Sequence, residues 1–207
     1  MSSPRRPRAP GAPGARRAPE KRERRVVRKR IPERVTWGVE QLDLRRGDRI
    51  LEIGCGPGHA VGLVGSALER GSIVAIDRSA LQVARARAEN RELIAAGRAR
   101  IETMTLEQAP RALDERSFDT VFAINVNAFW TEPAPSFERA RRLLRPRGRV
   151  VLVYEPPSAE RAEALRRSLP KLLEAHGFIV EERRSARFAR GFGICIVARA
   201  ASRKDEE

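Results

Sequence analysis

Three glycines at alternate positions, Gly54, Gly56 and Gly58, follow the apolar run Arg49-Ile50-Leu51-Glu52-Ile53. Glycine reaches backbone conformations closed to other residues, so such a loop turns tightly and lets a ligand come close. A second apolar run, Ile73-Val74-Ala75-Ile76, ends on Asp77 about twenty residues later, where a carboxylate suits ribose hydroxyls. The chemistry on offer is recognition of a nucleoside-containing cofactor. Dinucleotide-binding loops place their third glycine three positions after the second. That position is His59 here, and the glycine comes one residue earlier, at Gly58. Glu52 adds a carboxylate inside an apolar strand, which is costly to bury unless donors or a cation meet it. A ligand carrying an ammonium group would do so.

Other reactive groups are sparse. Cys55 has no accompanying base and reads as a small loop filler rather than a nucleophile. Cys55 and Cys195 form no CxxC pair and have no metal-type histidine spacing, so they are expected to be reduced structural thiols of a cytoplasmic protein, with no metal. His59, Tyr154 and Glu155 are the weak candidates for catalysis or substrate contact; the simpler role for His59 is at a helix start. Asp77 would also serve as an ordinary helix cap. His176, beside Gly177, reads as a helix end. Phe129, Trp130 and Trp37 would make either an apolar lid over a small acceptor or core packing.

These residues need elements to hold them. From about Ile31, short apolar strands alternate with longer helical segments. A helical lead-in is expected over Val35–Leu44, and strands over Arg49–Ile53, Ser72–Ile76, Arg100–Met104, Phe118–Ile124 and Arg149–Tyr154. Helices are expected over His59–Leu68, Pro135–Leu144 and Ser158–Ala175, the last kinked at Pro170. Another is expected from an N-cap at Ser79 to Ala96, ending at Gly97. Two final strands, Phe178–Arg183 and Phe192–Ala198, have no helix between them, so the last should run antiparallel. The pattern predicts an α/β fold, Rossmann-like, with a seven-stranded mostly parallel sheet, one antiparallel strand and helices on both faces.

The 207 residues suit one domain, placed at residues 31–200, with a charged tail at 201–207. Residues 1–30 hold twelve Arg or Lys against two Glu, so +10 of the formal +15 lies in a Pro/Gly/Ala/Arg segment expected to be disordered. That segment is an electrostatic arm for nucleic acid or simply a solvated extension of an Arg-biased chain, which has thirty-eight Arg and four Lys. No run of 18 apolar residues predicts a membrane span, and no apolar stretch after the leading arginines suggests a secretory signal.

The sequence resembles the class I S-adenosylmethionine-dependent methyltransferases. Their first motif, an acidic residue before G-x-G-x-G, reads Glu52-Ile53-Gly54-Cys55-Gly56-Pro57-Gly58. Asp77, Phe118-Asp119-Thr120-Val121, the Ala140-Arg141-Arg142-Leu143-Leu144-Arg145-Pro146-Arg147-Gly148 turn and Gly177-Phe178 match later motifs in the family's order. The resemblance spans roughly residues 45–200. It implies S-adenosylmethionine as cofactor, with Gly54, Cys55, Gly56 and Gly58 against its methionine and ribose. It also implies Glu52 near the ammonium, Asp77 on the ribose hydroxyls and Arg78 against adenine. Thr105 and Leu106 stand where the family has Gly-Asp-Ala, and would serve the adenine edge. Asn125 matches the position whose backbone carbonyl meets the methionine amine.

The acceptor is a separate question. Asn125-Val126-Asn127-Ala128-Phe129-Trp130 stands in place of the Asn-Pro-Pro-Tyr motif of base amino-group methylation, which argues against DNA adenine. No cysteine pair suits cytosine C5. The resemblance favours a small-molecule acceptor. The alternatives are an RNA or protein acceptor guided by the basic tail, or an NAD(P)-binding or non-catalytic nucleotide module.

Overall fold

The computed structural model of the protein describes residues 31–189 and 191–202. The expected tail at 1–30 and residues 203–207 of the tail expected at 201–207 lie outside them. A lead-in helix, α1 (Glu33–Glu40), precedes β1 (Arg49–Ile53). Then follow α2 (His59–Ala67), β2 (Ser72–Asp77), α3 (Ala80–Glu89), α4 (Arg91–Ala95) and β3 (Ala99–Thr103). The chain continues through α5 (Ala109–Ala112), β4 (Phe118–Ile124), α6 (Ala128–Thr131), α7 (Pro133–Leu143) and β5 (Leu144–Tyr154). It closes with α8 (Ala159–Ala175), β6 (Phe178–Phe188) and β7 (Gly191–Ala200).

The described strands form one sheet in the order β3-β2-β1-β4-β5-β7-β6. β1 pairs in parallel with both β2 and β4, while β7 runs antiparallel between β5 and β6. The connection of β6 to β7 is a tight hairpin, too short for the crossover that a parallel pair requires. Strand order reverses at β1, and the crevice beyond the carboxyl ends of β1 and β4 is where open α/β sheets bind ligands.

Both faces are covered, so the central strands are apolar nearly throughout. Ile50, Ile73, Phe122, Val151 and Val153 pack with Val35, Val61, Val64 and Val83 of the first helices. Leu51, Ile53, Val121, Val150 and Leu152 pack on the other face with Phe129, Phe137, Leu165, Leu169 and Leu173. Truncating a fully buried ring such as Phe137 would cost about 3–5 kcal/mol.

Several boundaries differ from those the sequence predicts. The helix expected from Ser79 to Ala96 breaks at Asn90, although Ser79 does cap it by accepting from the Gln82 N–H. Asn90 is buried, and its side-chain amide donates to the carbonyls of Gly58 and Ala86 at 3.0 and 2.8 Å. A tertiary contact to the glycine loop therefore sets the break. Pro170 sits within α8 without ending it. β5 starts at Leu144, ahead of the expected Arg149, because Leu144 pairs with Phe118 before a register shift.

Candidate functional site

Glycine torsions build the site first. Gly54, Gly56 and Gly58 all have positive φ, at 73, 52 and 83°. A Cβ at Gly54 would stand 2.6 Å from Val126 Cγ2, and one at Gly58 would stand 2.6 Å from Asn90 Nδ2 and 2.8 Å from Ala86 Cβ. Gly56 differs: a Cβ there would meet nothing within 4 Å, so the middle of the loop borders open space. The outer glycines are required by packing and the middle one by backbone conformation, beside room for a ligand.

Asp77 ends β2 with its carboxylate against this loop. One oxygen accepts the Gly56 N–H at 2.9 Å and the other accepts the Ser79 N–H at 2.8 Å. The same residue thus shapes the loop and holds Ser79, the N-cap of the next helix. Each carboxylate oxygen keeps a second lone pair for a ligand.

Glu52 is 3% exposed, and its Oε2 has no hydrogen-bond partner. Burial first, and then the neighbouring Asp77 charge, push its carboxyl up to about 8. Such an atom is rare in a folded interior and marks a group awaiting a partner or a proton. Cys55 is also buried; its thiol is pushed far up by burial and by the charges of Glu52 and Asp77. It is a packed thiol, without nucleophilic character.

A cleft of about 620 Å³ opens at the carboxyl ends of the strands. Ile53, Gly54, Asp77, Arg78, Thr105, Leu106 and Asn125 all line it, so seven positions from four strand ends converge. Thr105 is already engaged in a turn: its N–H and hydroxyl both bond Gln108 Oε1, at 3.0 and 3.3 Å. Asn125 takes φ 56°, a conformation asparagine tolerates better than most residues. Its N–H donates to the Val153 carbonyl and its Oδ1 accepts the Glu155 N–H at 2.7 Å.

The weak catalytic candidates lie elsewhere. Tyr154 is 4% exposed, its hydroxyl donates to the Val126 carbonyl at 2.6 Å, and burial pushes the phenol up. It steadies the loop that covers Gly54. Glu155 pairs with Arg34 of α1 at 3.0 Å, tying the lead-in helix to the end of β5. His59 opens α2 half-buried, and none of the three lines the cleft. The aromatic lid is not assembled: Phe129 is buried against Phe137, whereas Trp37 packs edge-on to Phe188. His176 stacks on Phe137, remote from the glycine loop in sequence and packing.

Sequence reasoning did not single out Asn127, Thr131, Glu132 and Arg139, which line the cleft from the segment after β4. Arg139 belongs to an amphipathic helix whose charged residues give no local sign of which one faces inward. No His, Cys, Asp or Glu cluster among the described residues could hold a metal, and no described helix is long and apolar enough to cross a membrane.

A family model described as a methyltransferase domain matches residues 51–150. No curated protein matches the chain in sequence. Among solved structures, an S-adenosylmethionine-dependent methyltransferase from Aquifex aeolicus has a TM-score of 0.67 at 17% identity, over 81% of this chain and 89% of that one. A geranyl diphosphate methyltransferase solved with S-adenosylmethionine scores 0.64 at 14% identity, over 81% and 84%. A [4+2]-cyclase, SpnF, scores 0.66 at 18% identity, over 81% and 79%. At these identities the likeness is one of fold, and the fold alone hosts more than one chemistry.

Proposed function

We propose that the chain is a class I S-adenosylmethionine-dependent methyltransferase that passes the sulfonium methyl in line to a small-molecule acceptor. The observation that carries the reading is the cleft itself. It is about 620 Å³, within the range of small-molecule sites, and it is lined from the ends of β1, β2, β3 and β4. One solved structure of similar fold is a geranyl diphosphate methyltransferase, whose acceptor is a small molecule.

The residues present fit the cofactor. Orphaned Glu52 Oε2 would receive an ammonium, Gly56 leaves room for close approach, and Asp77 retains lone pairs for ribose hydroxyls. Gly54 and Gly58 hold the loop in shape, with Cys55 packed between. Arg78, Thr105 and Leu106 would border adenine, and Asn125 the methionine end. When bound, S-adenosylmethionine supplies an activated methyl on a sulfonium. The chain's own work is to align the acceptor, exclude water and hold charges in place, and a general base is optional. This agrees with the placement of Tyr154 and Glu155 in structural bonds.

The basic residues 1–30 favour a second reading, an RNA or protein acceptor. Radiolabelled S-adenosylmethionine incubated with fractionated cell extract separates the two. The small-molecule reading predicts label in the metabolite fraction, with and without residues 1–30. Label confined to RNA or protein, and lost on deleting that segment, would replace it.

A further inference from the structure

Arginine crowds this surface, and most half-buried guanidinium groups have an evident use. Arg34 pairs with Glu155, Arg98 donates to the Gly65 and Leu68 carbonyls, and Arg149 donates to the Leu42 carbonyl. Among the described residues, arginines whose side chains make no hydrogen bond, ion pair or ring contact are exposed, with one exception. That exception is Arg139. It is half-buried on α7 between the buried Ser136 and Ala140, and it lines the cleft with Asn127, Thr131 and Glu132.

The negative groups on the same cleft do not neutralise it. Asp77 holds Gly56 and Ser79, while Glu107 and Glu132 are exposed; none of the three forms an ion pair with Arg139. Partial burial strips water from a guanidinium, and the charge must then be solvated by something else. Its planar fork matches carboxylate or phosphate oxygens with two parallel hydrogen bonds. The Asn127 side chain, exposed on the same wall and making no hydrogen bond of its own among the described residues, offers further donors.

We propose that Arg139 anchors an oxyanion, carboxylate or phosphate, on the methyl acceptor, and so determines acceptor specificity; this rests on the small-molecule reading above. Every residue assigned to the cofactor precedes Ala128 in the chain. Arg139 reaches the cleft from the later helix, on the wall left to the acceptor.

The test is calorimetric titration of the full chain saturated with S-adenosylhomocysteine, with succinate and inorganic pyrophosphate as probes. Wild type is expected to bind at least one, and which one identifies a carboxylate or a phosphate acceptor. Arg139→Gln should weaken that binding by about tenfold or more, and Arg139→Lys, which keeps charge but not the fork, by an intermediate factor. Affinity for S-adenosylhomocysteine should stay within about threefold in both variants, which also reports that they are folded. The proposal is overturned if neither anion binds wild type, or if anion binding survives Arg139→Gln unchanged. It is equally overturned if S-adenosylhomocysteine binding falls about tenfold with the anion response, since the guanidinium would then serve the cofactor. These titrations do not depend on turnover, so a failure of the small-molecule reading in the extract experiment is recognisable separately.

Discussion

At the scale of single residues, Glu52 and Asp77 divide the work of charge in the site. Glu52 binds its proton more tightly folded, near pH 8, than at its ordinary value of 4.5. Between those values the folded chain holds a proton that the unfolded chain releases. The stability it contributes is complete below about 4.5 and is lost as pH rises through 8. The ligand-free protein should therefore lose melting temperature from pH 5 to pH 8, and Glu52→Gln should flatten that slope. An ammonium-bearing ligand pairs with the ionised form, so S-adenosylhomocysteine affinity should rise from pH 6 to 8 in wild type but not in the variant. Equal pH slopes for the two proteins would remove Glu52 from this role. Asp77→Ala has two consequences, because the carboxylate also holds the Gly56 and Ser79 N–H groups. It should weaken cofactor binding by about tenfold or more and cost about 1–3 kcal/mol of stability. Unchanged titration isotherms would reject the ribose role.

At the scale of elements, the glycine loop is a set of unequal positions. Gly58→Ala drives a Cβ into Asn90 and Ala86, and should destabilise the fold by about 2 kcal/mol or more in chemical denaturation. Gly56→Ala meets no neighbour and carries only the left-handed penalty of about 1–2 kcal/mol, yet it intrudes where the ligand approaches. It should lose more cofactor affinity than stability. If the two variants show the same ratio of binding loss to stability loss, the open space beside Gly56 is not the cofactor's. Much of this was legible beforehand. β1 and β4 have the expected bounds because an apolar run between charged turns leaves a buried strand little freedom, and Gly-Phe at Gly177 marks a helix end by backbone conformation. What escaped depended on contacts distant in sequence. Asn90 breaks its helix by reaching Gly58, Tyr154 finds Val126 and Glu155 finds Arg34. The four-residue helices α5 and α6 are too short to carry a hydrophobic period. Arg139 resembled its neighbours Arg141 and Arg142 until the fold turned it alone toward the cleft.

At the scale of the whole molecule, one sheet with a reversal at β1 brings four strand ends to one crevice. Deleting residues 1–30 should leave cofactor affinity intact and weaken any RNA binding, most visibly at low salt. Loss of the cofactor on truncation would make that segment part of the binding domain. Whether the crevice is built for a methyl donor is decided by thermal denaturation of the full chain with S-adenosylhomocysteine and, separately, NADH. A hundredfold excess of S-adenosylhomocysteine over its dissociation constant should stabilise the protein by about 2.7 kcal/mol, with no response to NADH. A rise with NADH and none with S-adenosylhomocysteine would contradict the account.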